Sequence, residues 1–94
     1  MLILELVIND LAASKLVSRG IADVEVEQVI AHGPYVRDNP EPRVLGSKIV
    51  VGPTDAARFL TLILQPDEDS PSRWHVMTGW PSSARQIAVY HRSS

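Results

Sequence analysis

Apolar positions along this chain follow two grammars that change over near Pro34. Before it, the spacing is helical. Leu2 to Ile8 is a nearly unbroken apolar, β-rich run, and period alone leaves it open as a short strand or as the opening turns of a helix. Asn9 or Asp10 can then cap a helix carrying Leu11, Ala12, Ala13, Leu16 and Val17, with Gly20 to end it. A second helix follows, with Asp23 as N-cap, Glu25 and Glu27 where the helix dipole favours acids, and Val26, Val29 and Ile30 as its apolar stripe. His32 and Gly33 close it ahead of Pro34.

After Pro34 the pattern is that of strands. Tyr35 to Arg37 reads as an edge piece, residues 38–42 as a turn or loop, and Arg43 to Val51 as a strand disturbed at Gly46-Ser47. Phe59 to Leu64 has the continuous hydrophobicity of a central strand. An acidic loop from Pro66 to Ser72 leads into Arg73 to Trp80, where alternation sends Trp74, Val76, Thr78 and Trp80 one way and His75, Met77 and Gly79 the other. Ser82 or Ser83 caps a last helix whose Ile87 and Tyr90 can pack on the sheet, with Arg85 and Arg92 toward solvent. The prediction is a single α+β domain over residues 1–94: two N-terminal helices, an antiparallel sheet of three to four strands and a C-terminal helix.

Composition narrows the chemistry. With 94 residues, 45% hydrophobic and 21% charged, the chain has the makings of one core and none of the signature of disorder. The absence of cysteine excludes disulfides, thiolate nucleophiles and cysteine-ligated zinc, and makes a cytoplasmic address the default. The opening apolar run is too short for a membrane span and has no basic leader, so no membrane association is expected. The formal charge of -2 argues against a surface given over wholly to polyanions, yet it is unevenly spread. Residues 1–42 hold seven acids and three bases; residues 43–94 hold six bases and four acids, three of which are Asp67, Glu68 and Asp69 in one loop.

Several of these segments resemble the small BrnT-type toxins and related domains of the RelE-like ribonuclease toxin superfamily. The carriers are Ser18-Arg19-Gly20-Ile21 leading into the acidic helix from Asp23 to Val29, the strand from Arg43 to Gly52, and Ala57-Arg58-Phe59-Leu60. Thr78-Gly79-Trp80, Ser82 and the four-residue spacing of Gln86 and Tyr90 complete them. Ser18-Arg19 stands where the family has Lys-His, Trp80 where it has a strand-end arginine, and Gln86 where it has a glutamate. The resemblance implies a RelE-like fold, a metal-independent endoribonuclease acting on mRNA, no cofactor, and an antitoxin protein as partner. Homodimerisation stays open.

Cleavage of RNA by its own 2′-hydroxyl needs a proton acceptor, a cation for the charged phosphorane and a donor for the leaving oxygen. By residue type His75 is the acid or base, Arg58 and Arg85 the phosphate holders and Tyr90 the donor, with Arg43, Lys48, Trp80 and Arg92 binding RNA. Trp80 would stack a base, worth roughly 1–3 kcal/mol. Each has a plainer reading: His75 as a half-exposed strand residue without an orienting carboxylate nearby in sequence, Tyr90 as a core-edge aromatic, Trp74 and Trp80 as a structural cluster, Arg85 and Arg92 as a solvated helix face. The acidic loop has little metal-site character, since consecutive carboxylates in a turn splay apart. The competing function is a non-catalytic protein-interaction module on the same fold, which needs only an apolar patch with a polar rim.

Overall fold

The computed structural model describes residues 2–40 and 45–93. In chain order the elements are β1 (Glu5–Val7), α1 (Asp10–Ser18), α2 (Asp23–Ala31), β2 (Tyr35–Asp38), β3 (Lys48–Pro53), β4 (Phe59–Pro66), β5 (Arg73–Pro81) and α3 (Ala84–Ser93). The α+β class is as expected, but among the described residues the sheet has five strands, in the order β1-β5-β4-β3-β2, and is mixed. β1 runs parallel to β5, pairing Glu5 with Arg73 and Val7 with His75, while the other neighbours are antiparallel. The ambiguous run at Leu2 to Ile8 thus supplies the extra strand. Only long-range pairing with a segment nearly seventy residues away settles it, and no local period records that.

Helix ends follow local chemistry. Asn9 caps α1, its Oδ1 accepting from the Ala12 amide at 2.8 Å, and Gly20, with φ 70°, takes the left-handed turn after it. At α2 the cap moves one residue from expectation: Ala22 is the N-cap, and the Glu25 carboxylate reaches back to accept from its amide at 3.0 Å. Ser83 starts α3 with a reciprocal pair: Gln86 N donates to Ser83 Oγ at 3.2 Å, and Ser83 N donates to Gln86 Oε1 at 2.9 Å.

The core lies between the α1–α2 pair and one face of the sheet. Leu60, Leu62 and Leu64 of β4 are fully buried there, joined by Val50, Trp74 and Val76 and covered by Leu16, Ile21, Val26 and Val29. Each such leucine contributes about 1.5–3 kcal/mol by leaving water. Gly79 makes the close approach of α1 and β4 feasible, because a β-carbon on it would lie 3.1 Å from Leu16 Cδ2 of α1 and 2.7 Å from Leu62 Cδ2 of β4. Beyond His75 no strand of the described residues covers the outer edge of β5; there Arg19 Nη1 donates to the Gly79 carbonyl at 3.1 Å and to Thr78 Oγ1 at 2.6 Å, occupying an edge that another chain could pair with.

One expectation about β5 is corrected. An irregularity between Ile63 and Leu64 sets Val76 opposite Leu64 but Thr78 opposite Ile63, so β5 carries one extra residue there. The bulge reverses the alternation: Trp74, Val76 and Gly79 face the helices, while His75, Thr78 and Trp80 face the other side. Trp74 and Trp80 therefore lie on opposite faces and form no cluster.

Gly79→Ala is expected to lower the free energy of unfolding by about 1–3 kcal/mol, read from the urea midpoint at unchanged slope.

Candidate functional site on the second face of the sheet

The face turned away from α1 and α2 is only half covered. Register places Arg37, Ile49, Ile63 and Thr78 in one row across β2, β3, β4 and β5, and Tyr35, Val51, Thr61 and Trp80 in the next. α3 packs on β3 and β2, and its start is fixed on the second row. Thr61 is fully buried, and its hydroxyl donates to Gln86 Oε1 at 2.9 Å while bonding Ser82 Oγ at 2.8 Å. The row of Ile49 and Ile63 keeps partial exposure, as does Trp80.

Beyond that row, on the same face, Gln65 lies opposite His75. The His75 ring Nε2 is 2.7 Å from Asp67 Oδ1, and Asp67 Oδ2 accepts from the amides of Asp69 and Ser70 at 3.0 and 3.1 Å. Arg73 Nη1 lies 3.7 Å from the same carboxylate, and Arg73 Nε donates to Glu5 Oε1 at 3.1 Å, tying β1 to β5. The hydrogen bond from His75, the loop amides and the Arg73 charge together hold the Asp67 carboxyl below the usual carboxylate range. A shallow depression of about 320 Å³ opens here, lined by Gln65, Asp67, Glu68, Asp69, His75 and Met77. His75 thus has the orienting carboxylate that its sequence neighbourhood did not suggest. The signal was present in the hairpin itself, since pairing residue 65 with 75 brings a residue two places on, at 67, back over the imidazole.

The other candidate residues lie elsewhere. Arg58 is a clamp on the helix pair: Nη1 donates to the Gly20 carbonyl at 2.8 Å and stands 3.4 Å from both Glu25 oxygens, and Nη2 reaches the Arg19 carbonyl at 3.4 Å. Lys48 is paired with Asp38, whose carboxyl it holds below the usual range. Tyr90 packs edge-on against Phe59, ring centroids 5.3 Å apart, at the opposite end of β4 from Gln65. Six residues of strand separate Phe59 from Gln65, about 20 Å, so Tyr90 and His75 do not meet. Arg85 and Arg92 share the exposed stripe of α3 with Ala88. Arg43 lies outside the described residues. Two residues now prominent, Arg37 and Thr61, gave no signal in the sequence, because their roles depend on register.

No group of three or more His, Cys, Asp or Glu side chains suited to a metal ion occurs among the described residues, and none of their helices is long and apolar enough to cross a membrane. Comparison with protein-family models, curated proteins and solved structures finds no match.

A group whose folded pKa is depressed stabilises above its unfolded pKa, and that contribution disappears as pH falls through the folded value. The stability advantage of wild type over Asp67→Asn is therefore expected to be full at neutral pH, to shrink as pH drops below the ordinary aspartate value of 3.8, and to vanish in stronger acid; thermal unfolding across a pH series reads it. Arg58→Ala is expected to cost about 1–2 kcal/mol of stability, through lost hydrogen bonds to the α1 terminus, in urea unfolding.

Proposed function

We propose that this chain is a protein-interaction module, the partner-binding member of a toxin-antitoxin type pair on a RelE-like fold acting in the cytoplasm. Its docking surface is the uncovered half of the second sheet face. The observation that carries this reading is the disposition of side chains along β4. An apolar strip of Ile49, Ile63 and Trp80 stands on that face with Arg37 at its border, while among the described residues the predicted His75, Arg58 and Tyr90 are dispersed. A base, a phosphorane-holding cation and a leaving-group donor must converge within a few ångströms. Here His75 and Tyr90 lie at opposite ends of β4, and Arg58 is committed to the helix pair on the other face. The electrostatics at His75 point the same way, since Asp67, Glu68 and Asp69 line its depression and repel a phosphate.

A second reading, an endoribonuclease acting on mRNA, is favoured by one observation: Asp67 holds the His75 imidazole at 2.7 Å, as a carboxylate holds a catalytic base. Expression in a bacterial host separates the two. The interaction reading expects cultures making wild type and His75→Ala to grow equally and total mRNA to stay intact in both. Growth arrest with mRNA loss in the wild type, relieved by His75→Ala, establishes the ribonuclease instead.

A further inference from the structure

The charges around the apolar strip are not balanced. Among the described residues Lys48, Arg58 and Arg73 are in ion pairs, whereas Arg19, Arg37 and Arg85 have no carboxylate within ion-pair distance. The strip's row has Arg37 at one end and Arg19 at the other, and α3, which carries Arg85 on its exposed stripe, runs along a third side. Arg37 stands directly opposite Ile49, its Nε reaching only the carbonyl of Asp38 at 3.4 Å. Arg19 comes round the free edge of β5 to Thr78, which is opposite Ile63. Arg85 adjoins Gln86, which is fixed on Thr61, two residues from Ile63. The acids without ion pairs on α1 and α2, namely Asp10, Asp23 and Glu27, are on the far side of the sheet. On the fourth side lies the acidic hairpin loop with Glu68 and Asp69.

From this charge pattern we infer that the face receives an amphipathic α-helix of a partner protein whose apolar stripe is bordered by carboxylates. The inference rests on the interaction reading given above and adds the chemistry of the occupant. Apolar side chains would cover Ile49, Ile63 and Trp80, while acidic residues neutralise guanidinium groups that have no counter-ion among the described residues. A strand added at the β5 edge is disfavoured, because Arg19 already takes the Gly79 carbonyl there.

The test is fluorescence anisotropy with labelled synthetic helical peptides, at low and high salt. One peptide combines leucine with glutamate, one leucine with lysine and one leucine with glutamine; single-stranded oligouridylate is the nucleic-acid probe. The leucine–glutamate peptide is expected to bind most tightly, to weaken with salt, and to lose about tenfold in affinity to the Arg37→Glu/Arg85→Glu variant, which instead gains for the leucine–lysine peptide. Both substituted positions are exposed, so the variant keeps its fold, checked by circular dichroism. If the glutamine and glutamate peptides bind equally and Ile63→Asp abolishes both, the acidic occupant is overturned while the interaction reading stands. If no peptide binds, both fall. Oligouridylate binding tighter than every peptide and weakened by the double arginine variant overturns the inference in favour of a nucleic-acid surface.

Discussion

Alternation along β4 is the constraint from which the rest follows. Leu60, Leu62 and Leu64 cannot lie beneath α1 and α2 without sending Thr61, Ile63 and Gln65 to the opposite face, because successive side chains of a strand point to opposite sides. Burying three leucines against Leu16, Val26 and Val29 is a large share of what a chain of 94 residues can gain from a core. The second face is therefore built from whatever stands between those leucines. A threonine there had to find hydrogen bonds, and it finds them in Ser82 and Gln86, which fix the start of α3. An isoleucine there, two residues further, is left beyond the helix. The same alternation that makes the core makes the exposed strip.

Cations divide along the same line. Those near the helix pair and the hairpin serve structure: Arg58 closes the end of α1 against Glu25, Arg73 joins β1 to β5 through Glu5, and Lys48 pairs with Asp38 across β2 and β3. Those around the second face have no such duty beyond Arg19, whose guanidinium occupies the β5 edge. An unpaired guanidinium on a surface costs little in water, so folding does not demand counter-ions for it. Its placement beside partly exposed aliphatic side chains is what gives the face a preference among ligands. The carboxylate beside His75 belongs to the hairpin turn as much as to the imidazole, since it also accepts two loop amides. A pair of that kind stabilises the turn without requiring catalysis.

How far the sequence could be read differs from segment to segment, for physical reasons. Helix stops were legible at Gly20 and Gly33, and two caps to within a residue, as Asn9 or Asp10 and Ser82 or Ser83, because the bonds and backbone angles they supply are local. The central strand at Phe59 to Leu64 was legible because its composition admits little else. β1 was not, since three residues gain strand character only from Arg73 to His75. The faces of β5 were misassigned past Val76, because a single inserted residue inverts every later position and leaves no mark in composition. At the candidate site, His75 was found by its chemistry and Asp67 was missed, because hairpin register and not sequence distance brings them together.

By itself, the sequence determined the inventory: an α+β chain, two capped helices ahead of a run of strands, a third helix begun by Ser82 or Ser83, and a locally basic C-terminal half carrying one strand-borne imidazole. These follow from short-range sterics, local hydrogen bonds and hydrophobic period, all of which act over a few residues. Tertiary structure alone decided the parallel fifth strand, the opposite facing of Trp74 and Trp80, the capture of Arg58 by Glu25 and the placement of Arg37 beside Ile49. Each depends on which distant segments pair and in what register. A shift of one residue exchanges the two faces of a strand, so the chemistry of the second face is fixed only once the sheet has closed.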